Sequence, residues 1–146
     1  MALTSKRFPN RLGIWGWLGG GRWGAERYLY ILHRLTGLGI LAYFLLHIVV
    51  TSSRAFGEGP WRQAMGLVSG LPFKLGEYLV FVAFAFHAIN GIRLGIIELG
   101  FGVGKPIEPV YPYRTSLDVQ RPLAVGAVIL AAVLIVMGTL NFWVLE

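Results

Sequence analysis

Three apolar stretches, each long enough to cross a bilayer, constrain this chain more than any other feature. They run from about Tyr28 to Ser52, Tyr78 to Leu99 and Pro122 to Leu145. A membrane-spanning helix needs roughly 20 apolar residues at a rise of about 1.5 Å each. In lipid the backbone polar groups must be satisfied inside the segment, so each stretch is expected to be a helix. Composition agrees: 55% of the 146 residues are hydrophobic and 14% are charged, against about 25% charge in a soluble domain. The expectation is an all-α membrane protein, a single membrane-anchor domain over residues 1–146, with spans at 28–52, 78–99 and 122–145.

The remaining residues read as connections and an edge. Residues 1–27 do not resemble a signal peptide, because Lys6, Arg7 and Arg11 lead into a Gly/Trp-rich run rather than an apolar core. Trp15, Trp17 and Trp23 suit the headgroup layer, so an interfacial segment lying on the membrane is expected. The first connection has room for a short amphipathic helix around Trp61 to Val68. The second, Gly100 to Arg121, reads as irregular, and Pro122 fits the first position of the third helix.

Basic residues set the orientation. With the N-terminus in the cytoplasm, ten fall inside: Lys6, Arg7, Arg11, Arg22, Arg27, Arg34, Arg93, Lys105, Arg114 and Arg121. Only Arg54, Arg62 and Lys74 fall outside, which gives an N-in, C-out chain in the cell (cytoplasmic or inner) membrane. The formal charge of +6 then reports topology and contact with lipid headgroups, not nucleic acid. Three helices bury little of one another in lipid, so a partner subunit completing a larger helical bundle is expected.

There are no cysteines, which excludes disulfides, thiolate catalysis and cysteine-held metal or iron–sulfur centres within this chain. Ionisable groups inside a membrane mark function by default, and here they are His33, Arg34, His47, His87 and Arg93. His33 and His47 are fourteen residues apart on one helix face, with Thr36, Gly37, Ile40 and Phe44 on the same stripe. Gly37 leaves room for something flat, or for another helix. Ala83, His87, Gly91 and Gly95 follow at steps of four, a face of small residues holding one imidazole. Imidazole is a usual axial donor to haem iron, so His87 and His47 read as metal ligands or as helix–helix hydrogen-bonding groups. His33 and Arg34 read as cofactor contacts or as groups snorkelling to the interface. Arg93 reads as the partner of an anionic group or as a topology residue.

The segment Ile31-Leu32-His33-Arg34-Leu35-Thr36-Gly37 resembles the H-R-x-[ST]-G signature of the succinate dehydrogenase cytochrome b subunit family. Phe86-His87-Ala88-Ile89-Asn90-Gly91-Ile92-Arg93 resembles that family's second signature, H-x3-G-x-R. Both fall on the appropriate spans, and the resemblance covers roughly residues 27 to 145. It implies that His87 is an axial ligand of haem b, with the second ligand supplied by another anchor subunit. It implies that Arg34 borders a quinone site, that His33 lies near a haem propionate, and that Arg93 belongs to the same cytoplasmic-side cluster. Two positions depart from the pattern. Tyr30 stands where many relatives have a quinone-contacting serine, and Leu94 where many have a histidine after the signature arginine.

His47 resembles the extra histidine of two-haem branches of the family. Counting residues from the cytoplasmic side separates His47 from His87 by roughly 6 Å in depth, which favours one or two separate haems over a single haem clamped inside this chain. The implied partners are a flavoprotein subunit, an iron–sulfur subunit, a second anchor subunit and membrane lipid. The implied function is passage of electrons from succinate oxidation to quinone, reduced near Tyr30, His33 and Arg34. A fumarate reductase anchor and a haem-less structural anchor are the alternatives. An ion-conducting subunit is disfavoured, because Glu26, Glu77, Glu98 and Glu146 all lie at span ends.

Overall fold

A computed structural model describes residues 13–14, 25–103 and 116–145. Among them the chain forms helix α1 (Ala25–Ser52), a 3-10 turn (Ser53–Phe56), α2 (Glu58–Leu67), α3 (Leu71–Glu98), α4 (Ser116–Leu140) and a terminal π turn (Asn141–Leu145). No strand occurs among the described residues. With their adjoining turns, α1, α3 and α4 give three candidate spans of 32, 28 and 30 residues. The expected interfacial segment, with Trp15, Trp17 and Trp23, lies outside the described residues, as do Lys105 and Arg114.

The ends follow from local chemistry. At the close of α1, Thr51 donates to the carbonyl of His47 (2.7 Å), Ser52 to that of Val49 (2.7 Å) and Ser53 to that of Val50 (2.7 Å). Carbonyls at a helix end lose their onward partners, and these hydroxyls satisfy them as the chain tightens into the 3-10 turn. Gly57 and Gly70, both at φ 103°, then break the backbone in a region that side chains disfavour, ahead of α2 and α3. The short helix of the first connection is therefore Glu58–Leu67, close to the expected Trp61 to Val68. At the other end of α3, Gly100 (φ 89°) allows its N–H to reach Ile97 O (2.9 Å) and that of Phe101 to reach Ile96 O (3.1 Å), a Schellman closure.

Two boundaries differ from the sequence expectation. α3 begins at Leu71, seven residues before Tyr78, with Pro72 in its first turn. α4 begins at Ser116, so Pro122 is interior to the helix instead of opening it. The proline ring removes the N–H that would reach the Asp118 carbonyl. Pro122 is exposed near the helix end, where water can serve that carbonyl instead.

α3 is the central helix, packed along both α1 and α4. Arg121 Nε donates to Glu26 Oε1 (3.3 Å) and ties α4 to α1 at one end. At the opposite end Tyr78 and Thr139 share a hydrogen bond of 2.9 Å, and Lys74 Nζ lies 5.2 and 5.3 Å from the Phe142 and Trp143 ring centres. Only five described residues are buried, Ala85, Ala124, Ala131, Asn90 and Arg93, and large apolar side chains face outward throughout. That is the pattern of helices meeting through small residues in lipid.

One contact is tight enough to test. A Cβ at Gly138 would fall 2.1 Å from Phe81 Cζ, so the phenyl ring sits against bare backbone. Gly138→Ala is expected to lower the Tm of the purified, detergent-solubilised complex, with a cost of about 1–3 kcal/mol for overpacking. Adding Phe81→Leu should recover most of the loss. An unchanged Tm in Gly138→Ala means that α3 and α4 do not meet at this point.

Candidate functional site

Two of the five buried residues are polar, and both sit one or two turns from the second-signature histidine on α3. The α1 and α3 faces meet around His33 and His87, whose rings stack with centroids 3.9 Å apart and planes 6° from parallel. His87 Nδ1 lies 3.0 Å from the His33 carbonyl oxygen and 3.2 Å from Thr36 Oγ1. Each imidazole rests on the other helix's glycine. A Cβ on Gly37 would meet His87 Cε1 at 2.8 Å, and one on Gly91 would meet His33 Cε1 at 3.5 Å. The gaps that these glycines leave are thus filled by the two histidines themselves.

This contact revises the depth count. α1 starts at Ala25, which places His33 well inside the helix and level with His87. His47 then lies fourteen residues along α1 from His33 and ten from Gly37, about 15–21 Å from the level of His87, not 6 Å. His47 is exposed, its ring 5.8 Å from that of Tyr43, at the edge of a cavity of about 320 Å³ between α1, α2 and α3. Thr51, Trp61 and Glu77 supply the other polar groups of that cavity. Phe44, expected on the same stripe as His33, is 56% exposed, so α1 turns this face to α3 only over its first half.

Below the histidine pair, Arg93 and Asn90 are 8% and 3% exposed. Arg93 Nε donates to Asn90 Oδ1 (3.0 Å), an i, i+3 bond that fixes the guanidinium inside the bundle. The Arg93 charge lies within electrostatic reach of His33 and Glu26. Two buried polar nitrogens here, His33 Nδ1 and Asn90 Nδ2, have no hydrogen-bond partner. Unpaired buried donors cost about 1–3 kcal/mol each, so such atoms mark a place where a polar group belongs. Asn90 stands inside the second signature, but no role follows for it from the ionisable groups of the spans. An amide inside an apolar span, three residues before an arginine, was the available signal.

Tyr30 and Arg34 form a separate pair on the outward face of α1. Arg34 Nη1 donates to the Tyr30 hydroxyl (2.8 Å), and its guanidinium carbon lies 5.5 Å from the Tyr30 ring centre. The tyrosine oxygen accepts in this bond, so its own proton is left to donate elsewhere. The residues expected around a quinone therefore divide: Tyr30 and Arg34 point away from the bundle, and His33 points into it. Among the described residues no three His, Cys, Asp or Glu side chains come together as a metal cluster.

Residues 14–140 match the family described as succinate dehydrogenase/fumarate reductase transmembrane subunit. The chain is also similar to the succinate dehydrogenase hydrophobic membrane anchor subunit of Halobacterium salinarum. The two are 32% identical over 87 residues, covering 57% of this chain and 67% of the relative.

Proposed function

Since the chain belongs to the succinate dehydrogenase/fumarate reductase transmembrane subunit family, we propose that it anchors a succinate dehydrogenase in the membrane, holds haem b through His87 and forms part of a quinone site at Tyr30 and Arg34. The observation that carries this reading is the state of the His87 ring. Nδ1 is engaged by the His33 carbonyl and lies beside the Thr36 hydroxyl, which leaves Nε2 as the ring nitrogen that these groups do not bind. An imidazole in that state presents one lone pair, which is what an axial haem ligand supplies.

The surroundings fit a haem. A propionate needs a cation and hydrogen-bond donors inside the membrane, and the buried Arg93 guanidinium with the unpartnered Asn90 Nδ2 and His33 Nδ1 offers both. The second axial ligand would come from another anchor subunit. His47 would serve a separate haem near the opposite face, again with a ligand from a partner. A b-type haem bound here supplies a one-electron store beside the quinone site.

The outward pair on α1 suits a quinone. The Tyr30 hydroxyl can donate to a quinone carbonyl while Arg34 fixes its oxygen and puts positive charge beside the oxygen that gains electrons. Flavoprotein and iron–sulfur subunits would deliver those electrons from the cytoplasmic side, where an N-in, C-out chain sets His33, Arg34 and Arg93. The test uses the complex purified with its partners. A reduced-minus-oxidised spectrum with pyridine haemochrome quantification should show haem b, and succinate should reduce added quinone. A complex free of haem b makes this chain a structural anchor only.

A further inference from the structure

Thr36 and Gly37 occupy the last two positions of the first signature, and neither carries a charge. We propose that they are positioning residues for His87. With the His33 carbonyl they form a clamp that holds the imidazole with its proton on Nδ1, which leaves the lone pair on Nε2. This rests on the reading of His87 as an iron ligand and extends it to how α1 prepares a ligand carried by α3.

Hydrogen-bonding capacity fixes the tautomer. The His33 carbonyl, 3.0 Å from Nδ1, can only accept, so Nδ1 must carry the proton. The Thr36 hydroxyl uses its own proton on the carbonyls of Leu32 (2.8 Å) and His33 (3.0 Å). Its oxygen, 3.2 Å from Nδ1, is left to accept as well. Two acceptors therefore share the Nδ1 proton. A proton held in this way makes the other ring nitrogen a better donor to a metal and fixes the ring's direction.

Gly37 sets the ring's position. A Cβ there would lie 2.8 Å from His87 Cε1, closer than carbon atoms approach without displacement. The ring can reach the His33 carbonyl only because α1 has bare backbone at this turn. The parallel His33 ring, 3.9 Å away, closes off rotation on one side. Gly91 does a lesser version of the same for His33, at an ordinary contact distance of 3.5 Å. The pair of glycines thus predicts unequal effects from equal substitutions.

The test is made in the assembled complex, with haem measured per flavin. Gly37→Ala should lower haem retention by about 10–100-fold in affinity, and Gly91→Ala should retain haem as wild type does. Thr36→Val keeps the side-chain shape and removes one acceptor. It should keep the haem and raise its midpoint potential, since a less electron-rich imidazole favours ferrous iron, and Thr36→Ser should restore the wild-type value. Selective 15N-histidine spectra, with His87 assigned by its disappearance in His87→Ala, should show the Nδ1–H form. A wild-type complex with haem in which Gly37→Ala and Thr36→Val change neither retention nor potential overturns the clamp and leaves His87 as ligand. A wild-type complex without haem overturns the ligand reading, and the 15N spectrum still decides the clamp: an Nε2–H form at His87 rejects it.

Discussion

His87→Ala in the assembled complex is expected to abolish one haem b completely, with the subunits still associating. Among the described residues nothing else replaces that nitrogen at that place. His33 is at the same depth, but its ring lies over Gly91 and stacks on the His87 ring, so removing His87 leaves its position and direction unfilled. His47 is about 15–21 Å further along α1. Loss should be read as the vanished share of the reduced-minus-oxidised signal, with pyridine haemochrome giving the stoichiometry. His33→Ala is the matched comparison: it removes the stacked ring and a propionate donor but no ligand, so haem should be held more weakly without being abolished. His47→Ala made separately reports on a second centre: a further haem lost there, and only there, supports two haems. Full haem content in His87→Ala rejects the ligand assignment outright.

The architecture was legible in the sequence because the relevant variable is one-dimensional. A run such as Leu35 to Val50 is long, apolar and free of Pro, and lipid permits little but a helix there. Boundaries were less legible, for a physical reason. Lys74 and Glu77 look like loop residues beside an apolar run, yet at headgroup depth a polar side chain is no reason for a helix to stop. Lys74 reaches over Phe142 and Trp143, and the helix continues back to Leu71.

The site shows the same division. Spacing along one helix put His87, Gly91 and Arg93 on α3, and the signatures paired them with His33, Arg34 and Gly37. Register between helices is not written in either helix alone. Spacing alone leaves His33 either a cofactor contact or a group snorkelling to the interface, whereas the packing of α1 on α3 turns it inward to stack on His87. The same packing shows that Gly37 makes room for an imidazole of this chain. It also shows that Asn90, neutral and therefore passed over, is the most buried polar residue described.

Arg34→Ala is expected to reduce succinate-to-quinone turnover by roughly 100-fold, the scale for removing a group that stabilises charge developing on oxygen. Turnover with an artificial acceptor that takes electrons ahead of the quinone should stay at the wild-type rate. That split separates a defect at the quinone from a defect in assembly. Tyr30→Phe should fall between wild type and Arg34→Ala, because it removes the donating hydroxyl and keeps both the ring and the arginine above it. Arg34→Lys retains positive charge but replaces the planar fork by a point charge, so recovery should be partial. The geometry also fixes the order of dependence. Arg34 holds the Tyr30 oxygen as an acceptor, so the tyrosine proton is directed by the arginine, and the double variant should be little worse than Arg34→Ala alone. Additive losses would mean that the two residues act independently on the quinone. Turnover within twofold of wild type in both single variants would move the quinone away from this face of α1 altogether.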